Sequence, residues 1–398
     1  MKDIWNQFKN IANRFRDLSF FTIGTIVSNA IGGIFWLYMA SLLSTENYGE
    51  ISYLIAIGIM SSTISIAGMS NFLIVYGAKN IKIQSTVFFI GLISSGITAA
   101  VIFFFIVDNI TVSLYIIGFV IYTLIIGDLI GRKLFSKYSK IIIIQKIILV
   151  TFSIILYHVI GLQGIMLGIA LSFLAFSFII YQSFKEIKID FKMFKGRTKF
   201  AINSFLLDIS NAFNGSIDKI IIAPLLGFSL LGNYQLGVQF ISLVHLIPGM
   251  LFLYILTQDA SGNSTKTIKK IIVIISIIFT SLSIMLSPIF VPIFFPKFVE
   301  AVEIIQIMSF SIIPSAITST YISKYLGKTK SKIVIIGSSI YLATQILSII
   351  VLGNIYGING VAVSVVISAF IHMIYFLIVG KFYDESKSTT DNQKKINF

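Results

Sequence analysis

LLSTENYGE (residues 42–50) returns as LLGFSLLGNY (225–234), with Gly49 opposite Gly232 at an offset of 183. A second pair follows in the same order. HVIGLQGIMLGIALSF (158–173) resembles NIYGINGVAVSVVISA (354–369), pairing Gly161 with Gly357 and Gly164 with Gly360 at an offset of 196. Glycine at helix turns is common, so each match is weak alone. Two matches in one order at similar offsets indicate a duplicated chain. The first joins apolar segments one and two to seven and eight; the second joins the five–six turn to the eleven–twelve turn. Six crossings return the chain to its starting side, so the halves run in the same orientation about an axis along the membrane normal.

The composition sets these repeats in a bilayer. Hydrophobic residues make up 56% of the 398 and charged residues 12%, where a soluble domain carries about 25% charged. Apolar runs of roughly twenty residues, the length needed to cross hydrocarbon, recur from end to end. Twelve crossings are expected. On that reading all of the thirty lysines and arginines fall in alternate connections and the tails, except Lys297 in the opposite loops and Lys146 and Lys219 inside crossings. Basic residues resist translocation, so both termini are expected in the cytoplasm and the protein in the plasma membrane. The formal charge of +14 then reports membrane orientation, and no nucleic-acid partner is expected.

The expected organisation is an amphipathic interfacial helix over 1–17, a six-helix lobe over 18–184, a basic cytoplasmic linker over 185–199, a second six-helix lobe over 200–380 and a cytoplasmic tail over 381–398. No connection is long enough for a soluble catalytic domain. There is no cysteine, hence no disulfide, thiolate metal site or cysteine nucleophile. The three histidines have no ligand spacing, and no glycine-rich phosphate loop is present. An enzyme is not expected, and no metal. All six prolines lie in the second half, with Pro248 and Pro314 inside crossings, where proline kinks a helix. Asn109-Ile-Thr111 has the form of a sequon, in a loop short enough for chance.

The seventh crossing, AINSFLLDISNAFNGSIDKIIIA (201–223), is the unusual one. Ser204, Asp208, Asn211, Gly215, Asp218 and Lys219 share one arc of the helix. A carboxylate facing lipid at mid-depth costs several kcal/mol, so the arc must meet protein or a wet cavity. Asp208 and Asn211 are candidates for lining that cavity. Asp218 and Lys219 are candidates too, with a satisfied structural pair as the plainer alternative. The first crossing carries Ser19, Thr22, Thr25, Asn29, Gly32 and Gly33 on one face; Thr25 and Asn29 are taken as cavity candidates, against close packing of small residues. Gln239 joins them from the eighth crossing. Lys146 and Arg132 are candidates for meeting a phosphate. Against that stand membrane anchoring and, for Arg132, an i,i+4 pair with Asp128.

Several stretches carry a family resemblance. They are MASLLSTENYGEISYLIAIGIMSSTISIAGMSNFLIVYGAKN (39–80), SIDKIIIAPLLGFSLLGNYQLG (216–237), FFPKFVEAVEIIQIMSF (294–310) with YLGKTKSK (325–332), and the paired glycine turns at 161–164 and 357–360. In order and spacing the chain resembles, over essentially its whole length, the polysaccharide-biosynthesis flippases of the multidrug/oligosaccharidyl-lipid/polysaccharide exporter superfamily. The resemblance implies an all-α membrane protein, with twelve helices in two pseudo-symmetric six-helix lobes around a central cavity. It implies alternating access, with a polyprenyl-pyrophosphate-linked oligosaccharide moved from the cytoplasmic to the outer leaflet for surface glycan assembly. Lipid-linked oligosaccharide, membrane lipids and glycan-assembly proteins are the expected partners of a monomer; H⁺ or Na⁺ is the candidate coupling ion and no other cofactor is expected. A cation-coupled drug antiporter is the alternative, although the first crossing lacks the carboxylate many of those exporters use. A membrane-embedded glycan polymerase or transferase is the alternative of another class, and the long outer loops it would need are absent.

Overall fold

The computed structural model describes side chains for residues 21–381, except 186, 193, 195–197, 199, 200, 203, 206, 207, 210, 211, 214, 246–254, 256–258, 260–264, 266, 328 and 329. The amphipathic face expected over 1–17, the tail after Lys381, Asn211 and Pro248 therefore lie outside the described residues. Among those described, all regular structure is helical. In hydrocarbon every backbone N–H and C=O must be satisfied within its own segment, which helices do. The elements are α1 (Lys2–Leu42), α2 (Thr45–Ile66), α3 (Met69–Ala78), α4 (Gln84–Phe105), α5 (Ile110–Gly131), α6 (Phe135–Ile160), α7 (Leu162–Leu174), α8 (Ser177–Glu186), α9 (Phe191–Lys195), α10 (Thr198–Leu226), α11 (Phe228–Ala260), α12 (Lys266–Phe294), α13 (Ala301–Ser309), α14 (Ile312–Gly327) and α15 (Ser331–Ile396).

Among the described residues eight helices are long and apolar enough to cross a bilayer, or nine if α13 and α14, bent by 42°, form one crossing. Their outward faces carry large apolar side chains, such as Phe104, Phe105, Met285 and Ile293. This is the surface of a multi-pass membrane protein. The α13–α14 bend falls at Phe310 and Ser311, before Pro314. That proline sits in the first turn of α14, where its missing N–H removes no helical bond. α15 is two helices meeting at Gly357.

The chain forms two compact units. One contains Met1–Tyr38 and Ile51–Ser216, the other Met39–Glu50 and Ile217–Phe398. The six-helix lobes expected over 18–184 and 200–380 follow the order of crossings. The compact units follow contacts, so the turn around Ser44 groups with the second and α10 up to Ser216 with the first. The core of the first unit gathers Phe72, Val87, Phe88, Val120, Leu124 and Ile125 from α3, α4 and α5. In the second, Ile255, Ile272 and Ala316 pack together from α11, α12 and α14.

The sequence repeats reappear as geometry. Gly161 has φ 70° and ψ −147°, and Gly357 has φ 59° and ψ −140°, a combination that only glycine adopts without strain. Three residues on, a Cβ on Gly164 would collide with the Leu156 carbonyl, and one on Gly360 with the Leu352 carbonyl. Leu156 and Leu352 are themselves 196 residues apart, so one turn design has been used twice. The first repeat does more. Gly49 lies against the Phe228 carbonyl and the Gly232 N–H, while Gly232 lies against the Thr45 carbonyl and the Gly49 N–H. Thr45 pairs with Phe228 at the repeat offset, so equivalent residues pack on one another reciprocally, and the Thr45 and Ser229 hydroxyls bond at 3.0 Å.

Lys297, the exception to the charge bias, is used up locally. Its ammonium donates to the carbonyls of Leu42 and Leu43, at 3.1 and 3.3 Å. These are acceptors left over at the end of α1, where a cation is favoured. Phe298 beside it is fully buried and meets the Tyr48 ring edge-on at 5.6 Å. Asn109 caps α5 by accepting from the N–H and hydroxyl of Thr111, at 2.9 and 2.6 Å. Capping accounts for the residues of the apparent sequon.

Candidate functional site

In the first unit polar residues meet at two separate contacts, α3 with α10 and α1 with α6. At Ala67 and Gly68 the backbone turns through positive φ, 49° and 75°. Gly68 there lies against the backbone of Ala201 and Phe205. The close approach lets Asn71, one turn later, donate its side-chain N–H to an Asp208 carboxylate oxygen at 2.9 Å. Asp208 is half-buried, and among the described residues it has no ion-pair partner. The partner Asn71 was not legible in the sequence, being 137 residues distant.

α1 meets α6 through its small and hydroxylated side chains. A Cβ on Gly24 would strike Ser139. The Thr25 hydroxyl donates to the Phe21 carbonyl at 2.8 Å and lies 3.1 Å from the Tyr138 hydroxyl. Buried Ser28 donates to the Ile142 carbonyl at 3.4 Å. Of the polar stripe of the first crossing, Thr25 is thus engaged in this contact, flanked by Gly24 and Ser28. Asn29 differs, and is exposed.

Lys146 lies along the same contact. Its terminal carbon and ammonium would be 3.7 Å from a Cβ on Gly32, an ordinary van der Waals contact, so the lysine side chain lies alongside α1 there. The preceding residue, Gln145, is buried and donates to the Ser172 hydroxyl at 2.8 Å. Lys146 is half-buried, and no salt bridge to it forms among the described residues. Arg132 is otherwise engaged. It forms the expected i,i+4 pair with Asp128, whose side chain is 2% exposed.

The second unit holds a sealed cluster. The Lys219 ammonium donates to both Asp218 oxygens at 3.1 and 3.3 Å, and the Tyr234 hydroxyl donates to one of them at 2.8 Å. Relative exposures are 5% for Asp218, 8% for Lys219 and 1% for Tyr234. Charge, counter-charge and hydroxyl satisfy one another, as a buried ion pair requires. Tyr234 stands in the LLGNY turn quoted above, but its role was visible only once folded. Gln239, on α11, is half-buried. At the far end of α11 the Asp259 carboxylate accepts from Thr265, Lys269 and Ser323, at 2.6, 2.7 and 2.8 Å. That network ties α11 to α12 and α14. No metal-binding cluster of His, Asp or Glu occurs among the described residues.

No known family model and no curated protein sequence matches the chain. Solved structures do match its fold. One is the lipid II flippase MurJ in an inward closed conformation, with a TM-score of 0.72 at 18% identity over 91% of this chain and 87% of that one. Another is a multidrug resistance MATE family transporter of the MOP superfamily, inward-facing, with a TM-score of 0.66 at 14% identity over 92% and 95%. A third is a MOP-superfamily transporter from Pyrococcus furiosus, described by the reversed polarity of its binding pocket, with a TM-score of 0.60 at 13% identity over 92% and 94%. At these identities the likeness is one of fold, and all three are transporters or flippases rather than enzymes.

Proposed function

We propose that this chain flips a polyprenyl-pyrophosphate-linked oligosaccharide from the cytoplasmic to the outer leaflet of the plasma membrane. It would do so by alternating access of two six-helix lobes, twelve crossings in all, around a wet central cleft. Lys146 is the observation that carries the reading. A lysine inside an apolar crossing is costly; here it lies beside Gly32 of α1 with no salt bridge among the described residues. An ammonium so placed is suited to an incoming pyrophosphate. The cleft hydrates the sugar head, which removes most of the cost of carrying it through hydrocarbon, while the lipid tail stays in the bilayer. Asp208, Asn211, Asn29 and Gln239 would line it. Arg132, already paired with Asp128, is the weaker phosphate contact. Coupling to H⁺ or Na⁺ and cooperation with glycan-assembly proteins complete the proposal.

Asp208 favours a second reading, a cation-coupled antiporter. Its carboxylate holds one amide donor and no cation among the described residues. Purified chain in proteoliposomes separates the two. The flippase reading expects labelled lipid-linked oligosaccharide to reach the opposite leaflet, with loss of the activity in Lys146→Gln. Efflux of an organic cation, lost in Asp208→Asn and untouched in Lys146→Gln, would replace it with the antiporter reading.

A further inference from the structure

Apart from the polar residues of α1, α6 and α10, a recess of about 390 Å³ opens at the start of the linker, lined by Phe89, Phe184, Ile187, Lys188 and Ile189. α4 supplies Phe89, α8 supplies Phe184 and the linker supplies the rest. Its walls are held in place. The Asp190 N–H donates to the Thr86 hydroxyl at 2.8 Å, the Ser85 hydroxyl donates to the Ser183 carbonyl at 2.9 Å, and the Phe191 ring meets Phe89 at 6.0 Å. Lys188 is exposed, as are Lys185 and Lys192 on either side of it in the chain. The Asp190 carboxylate is turned back on its own chain, accepting from the Lys192 N–H at 2.9 Å. Lys185 rests over the Tyr181 ring at 4.5 Å.

We propose that this recess seats an acidic phospholipid, with acyl chain against Phe89, Phe184, Ile187 and Ile189 and phosphate at Lys188. An apolar floor with cations at its rim complements an amphiphile with an apolar tail and an anionic head. It does not complement a free anion, which would leave four apolar walls unused. The site is independent of the transported substrate. Basic residues at an anionic leaflet each contribute about fivefold to association, so loss of Lys188 has a readable effect.

The test uses the full chain with Trp5→Phe, Trp36→Phe and Ile187→Trp, in phosphatidylcholine nanodiscs doped with brominated phosphatidylglycerol or brominated phosphatidylcholine. Brominated phosphatidylglycerol should quench the reporter at a severalfold lower mole fraction than brominated phosphatidylcholine. Lys188→Gln should raise that fraction about fivefold, and Lys188→Arg should restore it. Phe184→Trp as an alternative reporter should give the same order if Ile187→Trp disturbs the linker. Equal quenching by the two lipids, which marks ordinary annular contact, overturns the proposal. So does a phosphatidylglycerol preference that survives Lys188→Gln.

Discussion

Asp208 and Asp218 stand ten residues apart on α10 and meet opposite fates. Asp218 is closed in by the Lys219 ammonium and the Tyr234 hydroxyl and is almost fully buried. Asp208 is half-buried with one amide from Asn71. A helical wheel places both on one polar arc, yet the partners they find differ completely. The difference separates structural from functional polarity by leftover capacity. A buried pair that satisfies itself holds the fold, whereas a polar group with unused valence inside an apolar segment is costly unless something else comes to use it. Lys146 belongs with Asp208 on this measure, and Arg132 falls nearer Asp218 because Asp128 already holds it.

The sharpest way to break the comparison is to remove one half of the sealed pair. Lys219→Met leaves the Asp218 charge buried without its counter-charge, and should cost about 3–5 kcal/mol, read as a lowered midpoint of thermal unfolding in detergent. Adding Asp218→Asn should recover most of that loss; a single substitution that is harmless would mean the pair is not sealed. Next comes Gly232→Val, which forces side-chain atoms into the Thr45 backbone and should cost about 1–3 kcal/mol. Gly215→Ala, with open space around its Cβ position, is the matched control and should cost far less.

A smaller effect is expected at Asp259. Burial raises its carboxyl, but the hydrogen bonds from Lys269, Thr265 and Ser323 and the Lys269 charge outweigh burial and hold it below the usual carboxylate range. A carboxyl lowered in the folded state stabilises above its unfolded value, and that contribution is lost as the pH falls through the folded value. Wild type should therefore lose unfolding temperature more steeply than Asp259→Asn once the pH drops below about 4. The smallest stability change should come from Asp208→Asn, within about 0.5 kcal/mol of wild type, since an amide still accepts from Asn71. A large loss there would put Asp208 in the same class as Asp218.

How much of this was legible beforehand follows from the range of each interaction. The duplicated turns were readable because glycine spacing records a local backbone demand, and the φ values at Gly161 and Gly357 meet it. The Asp128–Arg132 pair was readable because it spans one helical turn. Asn71 with Asp208, Lys297 with Leu42 and Tyr234 with Asp218 are contacts between elements, which no spacing along one helix encodes. Asp218 and Lys219 are neighbours in sequence, and adjacent helical residues do not ordinarily face each other. Only the lysine's length lets it fold back. The polarity of the first crossing suggested a cavity wall at Thr25 and Asn29, and of these Thr25 meets Tyr138 of α6 while Asn29 is exposed.

The most direct measurement is the rate at which purified Lys146→Gln and Lys146→Arg chains flip labelled lipid-linked oligosaccharide in proteoliposomes, each compared with its unfolding temperature. The account predicts flipping lost in Lys146→Gln and largely kept in Lys146→Arg, with unfolding close to wild type in both. Full flipping by Lys146→Gln would contradict it, because the Lys146 ammonium would then have no part in carrying the head group.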